Sequence, residues 1–435
     1  MNALAGAGVL IVGLCALATV ALLLRAMPRA AFVLWGIVLF FVPVWVGVNA
    51  GTFWAAITVV TILAIISCGG SVRLSPIDGF VAAFTVLVVV EFAMQSMSLS
   101  ATVIALMEWI VPYVWGRLVL ARLQASFVTH WLALLTTVAA GLAVVEFVSG
   151  VNVFLFLPAQ GPSFEEWGVL QDRGGFVRAE GAFGHSIALG ASLAMGSAFV
   201  VAAPWRARTK VVALGLIGAA AVTTFSRIGM STLVLAVALS IFTLPGITRA
   251  TRATVAVAGI VAAAIVIPFL GGVFLTAGQE AGGSASYRGG LLDLVPLIQP
   301  LGAARDLEGA VINGQYLGFY ASSIDNALLV VALRAGWVPT IVLTVCIIGA
   351  CLPLLRHGGA TAANIAVATQ IPSLLTVAFI TQYGMYFWFL VGLAVASELR
   401  RRAALEPASA VIALRPPGEG IARWPQGARI PAVRM

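Results

Sequence analysis

A chain of 435 residues that is 61% hydrophobic and only 9% charged, with a mean hydropathy of +1.07, is too greasy to be a soluble domain. Its net charge of +8 would suggest a nucleic-acid partner in a soluble protein, but the excess sits in short loops and the tail, where membrane topology explains it. Apolar runs of about 18 to 22 residues recur without the alternation of barrel strands, so the expectation is all-α: a polytopic transmembrane helical bundle of about 12–14 spans.

The first 29 residues, MNALAGAGVLIVGLCALATVALLLRAMPR, carry no charge before Arg25. They read as a retained first helix with its N-terminus outside rather than a cleaved signal peptide. Further spans are expected at about 30–48, 50–68, 79–97, 100–120, 131–150, 186–203, 211–225, 228–246, 253–275, 337–355, 362–379 and 383–397. Cys15, Cys68, Cys346 and Cys351 fall within apolar runs and read as small core hydrophobes.

Assigning alternate loops to opposite sides separates the basic residues. One side collects Arg25, Arg29, Arg73, Arg117, Arg122, Arg206, Arg208, Lys210, Arg249, Arg252, Arg356 and Arg400 to Arg402; the other holds Arg173, Arg178, Arg227, Arg288, Arg305 and Arg334. The positive-inside rule makes the first set cytoplasmic and puts the long loops, about 151–185 and 276–326, outside. Residues 1–402 are then one transmembrane domain. The tail 403–435, with Pro407, Pro416, Pro417 and Pro425, is expected to be a disordered cytoplasmic end.

The stretch from Thr276 to Asn326 is the longest that cannot sit in hydrocarbon. Within it, Leu291, Leu292, Leu294, Val295, Leu297 and Ile298 beside Arg288 and Asp293 predict a short amphipathic segment on a membrane surface. A second polar stretch, FVRAEGAFGHSIALGASLAM at 176–195, runs a glycine-broken loop straight into a helix. Arg178 and His185 would lie at its outer surface; alternatively Arg178 pairs with Glu180 or a headgroup and His185 caps the helix.

Arg227 in TTFSRIGMS is either a snorkelling anchor or an anion ligand, since a permanently charged planar fork suits a diphosphate. Asp325, at the head of the helix that follows the large loop, is either an N-cap or a general base. Glu91, Glu108 and Glu146 lie in the outer halves of apolar spans, so they must face the interior as partners of outer arginines or as an ion path. One lysine, Lys210, and three scattered histidines, His130, His185 and His357, offer no phosphate loop and no metal-ligand spacing; neither a metal nor a cofactor is expected.

R-A-E-G-A-F-G-H-S-I-A-L-G, T-F-S-R-I-G, Y-R before a hydrophobic segment ending in Pro, and D-N-A-L-L with A-G-W resemble, in this order, the O-antigen ligase and polysaccharide polymerase superfamily of bacterial membrane glycosyltransferases. The resemblance covers roughly 176–345. It implies a metal-independent, inverting enzyme of the bacterial inner membrane that takes a glycan from a polyprenyl (undecaprenyl) diphosphate on the outer face. The glycan would pass to a sugar hydroxyl on a lipid-linked or glycan acceptor.

The same resemblance implies that Arg227 and Arg288 bind the diphosphate, with Arg178 near the donor path; beside it, the chemistry of the step gives Asp325 the role of orienting or deprotonating the hydroxyl. Arg178, His185, Tyr287 and Asn326 are the expected substrate contacts. The ligases proper open the helix after the large loop with a His-Asn pair, whereas this chain has Asp325-Asn326, which favours polymerase-like members. Arg334 stands where relatives often carry an acid. The competing expectation is a secondary transporter of a small anion or sugar, built on the three span acids.

Overall fold

A computed structural model describes residues 18–50, 52–70, 72–157, 163–276, 289–304, 311–312, 315–316 and 324–413. They are mostly helical, with three two-stranded antiparallel hairpins in the connections. Among the described residues four helices are long and apolar enough to cross a membrane: Pro76–Ala93, Leu99–Arg122, Ala125–Ser149 and Trp337–Leu355. Ala18–Ala26 with Pro28–Phe41, bent by 115°, would make a fifth.

Other apolar runs that hydropathy reads as full spans are shorter or broken. The run at 50–68 begins as a strand, with Gly47–Ala50 paired to Thr52–Ala55, and only Ala56–Cys68 is helical. The run at 362–379 breaks into Ala362–Thr369 and Ile371–Leu374. Pro372 has no N–H to continue the ladder, so the helix stops before it. Hydropathy counts apolar side chains and is blind to such breaks.

Two further differences concern the ends of elements. The Thr381–Ala413 helix runs past position 402, because Ala403, Ala404, Leu405 and Glu406 are strong helix formers; 414–435 lie outside the described residues. The segment Leu291–Leu297 is a 3-10 turn whose Leu291 and Leu294, with Ile298, bury against Leu329, Val330 and Leu333 of the Ala327–Ala335 helix. Leu291, Leu294 and Ile298 are therefore covered by the Ala327–Ala335 helix, while Leu292 stays exposed.

One large core joins most of the helices. Two close crossings set its geometry through glycine, as small residues do where helices must approach without a hydrophobic drive. Gly190 and Gly229 let Ser186–Ala202 and Arg227–Thr243 meet backbone to backbone. Gly116 and Gly392 do the same for Leu99–Arg122 and Thr381–Ala413: a methyl on either would collide with the carbonyl of Phe389 or Tyr113.

Candidate functional site

The helices run between two ends. At one, the chain reversals gather the polar loop 163–185, the turn at 224–226, the start of the Ala327–Ala335 helix and the segment 377–381. This is called the loop end below.

The motif at 178–186 is the bracket of that end. Ala179 N–H donates to Thr223 O, Arg178 N–H to Gln171 O, and the Arg178 guanidinium gives Nε–H to Thr224 O at 2.8 Å and Nη1–H to Gln171 Oε1 at 3.0 Å. Glu146 reaches up from its helix and accepts from Glu180 N, Gly181 N and Asn152 Nδ2 at 2.8–3.0 Å. Its partners are thus backbone and amide groups rather than an arginine. Glu180 accepts in turn from Gln171 N. Burial, with the Glu146 carboxylate adding to it, pushes Glu180 up to about 8 against the pull of the Gln171 N–H and Arg178.

His185 is the N-cap of Ser186–Ala202, its Nδ1 accepting from Ile187 N at 3.2 Å. Burial first, then the charge of Arg178, holds its pKa down at about 3, so the ring is neutral. Its ring stands edge-on to Trp167 at 5.7 Å. Gly184, at φ +59°, turns the chain beside Trp45 and the Trp167 backbone, where a Cβ would have no room.

The start of Arg227–Thr243 is set by Phe225, which adopts φ +46° with its ring fully buried against Phe147 and Phe176. A left-handed phenylalanine costs about 1–3 kcal/mol and persists only where packing holds it. Ser226 caps the helix through Gly229 N, and Arg173 donates to Phe225 O. Arg227 follows at the first helical position with its side chain exposed. There the helix terminus and the guanidinium add positive potential together.

At the start of Ala327–Ala335, the capping oxygen belongs to Asn326, which accepts from Leu329 N at 3.0 Å; Asp325 precedes it, half-buried. Tyr287 and Arg288 lie outside the described residues. The structure therefore brings Arg178, His185, Arg227, Asp325 and Asn326 to the same end, with Arg178 and His185 also serving as bracket and cap.

Beside them is a cavity of about 210 Å³ that the sequence did not reveal. Its ionisable lining is Glu108, Glu166 and Arg334, with Trp109, Trp167 and Thr381 completing the polar and aromatic wall. Arg334 attracts both carboxylates, yet among the described residues no hydrogen bond joins it to either. Burial pushes the carboxyl of Glu166 up, and Arg334 pulls it back.

Two local breaks help build this cavity. The Leu99–Arg122 helix widens to a π-helix over Ile104–Ile110, where Val111 N–H bonds Leu106 O. Pro112 has no N–H for the carbonyl of Glu108 four residues back, and such bulges recur at functional sites. Thr381 adopts φ +47°, strained for a β-branched residue. Gln382 fixes that turn by donating to Val42 O at 2.7 Å and Ala182 O at 3.1 Å.

Among the described residues two buried groups of the lining side chains, Thr381 Oγ1 and Trp109 Nε1, have no hydrogen-bond partner. Glu108 and Arg334 were visible in the sequence as ionisable residues in apolar helices, the standard pointer to function in a membrane. Glu166, Trp167 and Thr381 carried no such signal beyond the polar pair Thr381-Gln382 interrupting an apolar run. Among the described residues no three His, Cys, Asp or Glu side chains come together as a metal site needs. Set against protein-family models, curated proteins and solved structures, the chain finds no match, so the site itself must carry the functional argument.

Proposed function

We propose that this chain is a polytopic membrane glycosyltransferase of the bacterial inner membrane, moving a glycan from a polyprenyl diphosphate to a sugar hydroxyl on the extracytoplasmic side. The observation that carries the reading is the meeting, at one end, of an exposed arginine at a helix start with an acid-lined cavity. The acceptor hydroxyl attacks the anomeric carbon, the bond from that carbon to phosphate oxygen breaks, and the lipid diphosphate departs with the electron pair.

Arg227 and Arg288 neutralise the charge that grows on the leaving phosphate, where fixed donors act most strongly. Asp325 orients the hydroxyl and takes its proton as the new bond to the anomeric carbon forms. Attack from the face opposite the diphosphate inverts the anomeric configuration. The sequence resemblance to O-antigen ligases and polysaccharide polymerases supports the same assignment.

The test is Arg227→Ala and Arg288→Ala in cells. Surface polymer or conjugate disappears while the chain remains in the membrane fraction at its normal level; unchanged product length and yield overturn the reading. A second reading, secondary transport of a small anion or sugar, has one observation in its favour: Glu108 lines the cavity from within an apolar helix. It requires uptake into proteoliposomes that collapses in Glu108→Gln.

A further inference from the structure

The cavity itself has a chemistry distinct from that of a diphosphate clamp. It sets two carboxylates, Glu108 and Glu166, against one guanidinium, Arg334, so a ligand anion meets as much repulsion as attraction there. Its remaining polar capacity is the hydroxyls of Thr58, Ser163 and Thr381 and the indole N–H groups of Trp109 and Trp167; of these, Thr381 Oγ1 and Trp109 Nε1, on side chains 9% and 4% exposed, have no partner among the described residues. Buried groups left in this state cost free energy until a ligand satisfies them.

Trp109 and Trp167 supply flat apolar faces beside these groups. At about 210 Å³ the cavity has room for a sugar ring. Carboxylates that accept, a guanidinium and an N–H that donate, a hydroxyl that does both, and aromatic faces for C–H surfaces together match a polyhydroxylated ring.

We propose that this cavity is the acceptor-sugar subsite, that it selects an uncharged monosaccharide ring over an acidic one, and that Glu108, Glu166, Arg334 and Thr381 are its specificity-determining residues. The proposal rests on the glycosyl-transfer reading for the ligand being a sugar. It adds which sugar class is taken and separates Arg334 from the diphosphate-binding arginines. The left-handed turn at Thr381 holds this residue in the cavity lining, and the π-helical segment carries Glu108 there.

The experiment is equilibrium binding to the full chain in lipid nanodiscs at pH 7, without donor lipid. The probes are methyl glucoside, methyl N-acetylglucosaminide, methyl glucuronide and alanine. At least one of the two neutral glycosides binds saturably, and the glucuronide binds at least about tenfold more weakly. Thr381→Val weakens the neutral probe about three- to tenfold, the loss expected for one hydrogen bond, while Thr381→Ser restores it. Arg334→Ala weakens it further, and Glu108→Gln with Glu166→Gln narrows the gap to the glucuronide.

No saturable sugar binding, preference for the glucuronide or for alanine, or a Thr381→Val chain that binds as well as the parent overturns the proposal. Sugar binding that survives in the Arg227→Ala chain while cells carrying it lose product supports both readings. Binding with unchanged product in that variant leaves the subsite standing and removes the transfer mechanism.

Discussion

The two ends of the molecule are built on opposite principles. At the basic end, cations are spent on holding the chain together. Arg117 grips Asp78 with two hydrogen bonds at 2.7 and 2.9 Å, Tyr113 adds a third, and Arg117 also donates to Arg73 O. Arg122 donates to Gly69 O, Arg400 to Leu123 O, Lys210 to Val201 O, and Glu398 collects Arg356, Arg401 and Arg402. The cavity there, about 10 Å³, is too small for more than one water.

The loop end keeps a cavity of about 210 Å³ and, among the described residues, three left-handed non-glycine residues, Gln95, Phe225 and Thr381. Unpartnered groups occur at both ends, Ser75 Oγ and Trp115 Nε1 at the basic one, so what sets the loop end apart is backbone strain beside an open cavity, the combination found where a site takes a ligand.

The hardest way to break this contrast is to part the two helices that serve both ends. Leu99–Arg122 carries Glu108 and Arg117, Thr381–Ala413 carries Thr381 and Arg400, and they cross at Gly116 and Gly392. Gly392→Val drives methyls into the backbone of Tyr113 and Arg117, so neither side can yield by a side-chain rotation. A loss above about 4 kcal/mol is expected, the exceptional range for one substitution. Size-exclusion chromatography of the solubilised chain should show the monodisperse peak gone; a normal peak and melting temperature would mean that the crossing is looser than described.

Next in size is Asp78→Ala, which strips the partner from Arg117, a side chain only 5% exposed. An uncompensated buried charge costs about 3–5 kcal/mol. Thermal unfolding should show that loss, while methyl glycoside binding to whatever remains folded is unchanged. Equal loss of sugar affinity in the folded fraction would show that the two ends are coupled and not separate in purpose.

The sequence makes the basic end far more legible than the loop end, for a physical reason. Each short loop there carries its own arginine, and alternating those loops already assigns Arg29, Arg117, Arg206, Arg356 and Arg400 to one side without knowledge of any contact. The sequence puts the cap of the Ala327–Ala335 helix one residue early, at Asp325 rather than Asn326, and does not single out Ser226, because several polar residues in a row offer equivalent capping oxygens. The cavity depends on two breaks in regularity, at the π-helical segment and at Thr381, that hydropathy averages away. Arg334 had no account in sequence because its meaning lies in Glu108 and Glu166, which arrive from helices far away in the chain.

Smaller effects sharpen the contrast by titration. The folded-state pKa of Glu180 lies near 8, above its ordinary 4.5, so its contribution to stability is complete below about 4.5 and fades as pH rises towards 8. His185 behaves in the opposite sense: depressed to about 3 from 6.5, it contributes fully above 6.5 and fades as pH falls towards 3. Melting curves across pH should therefore fall away on both flanks. Glu180→Gln flattens the alkaline flank and His185→Asn the acid flank, since asparagine still caps the helix and does not titrate. Flanks that persist in both variants would place the titration elsewhere.

The smallest effect belongs to Arg402→Ala. Arg402 is 49% exposed and meets Glu398 at 2.7 Å, while Arg401 and Arg356 remain on the same carboxylate. An exposed pair with two surviving substitutes is worth about 0–1 kcal/mol, and added salt should erase even that. The melting temperature should therefore hardly move. A drop equivalent to about 2 kcal/mol would show that the basic rim is a keyed network in which each arginine counts. Its cations would then be tied to fixed partners just as Arg334 is tied to the cavity, and position alone would no longer separate a structural arginine from a binding one.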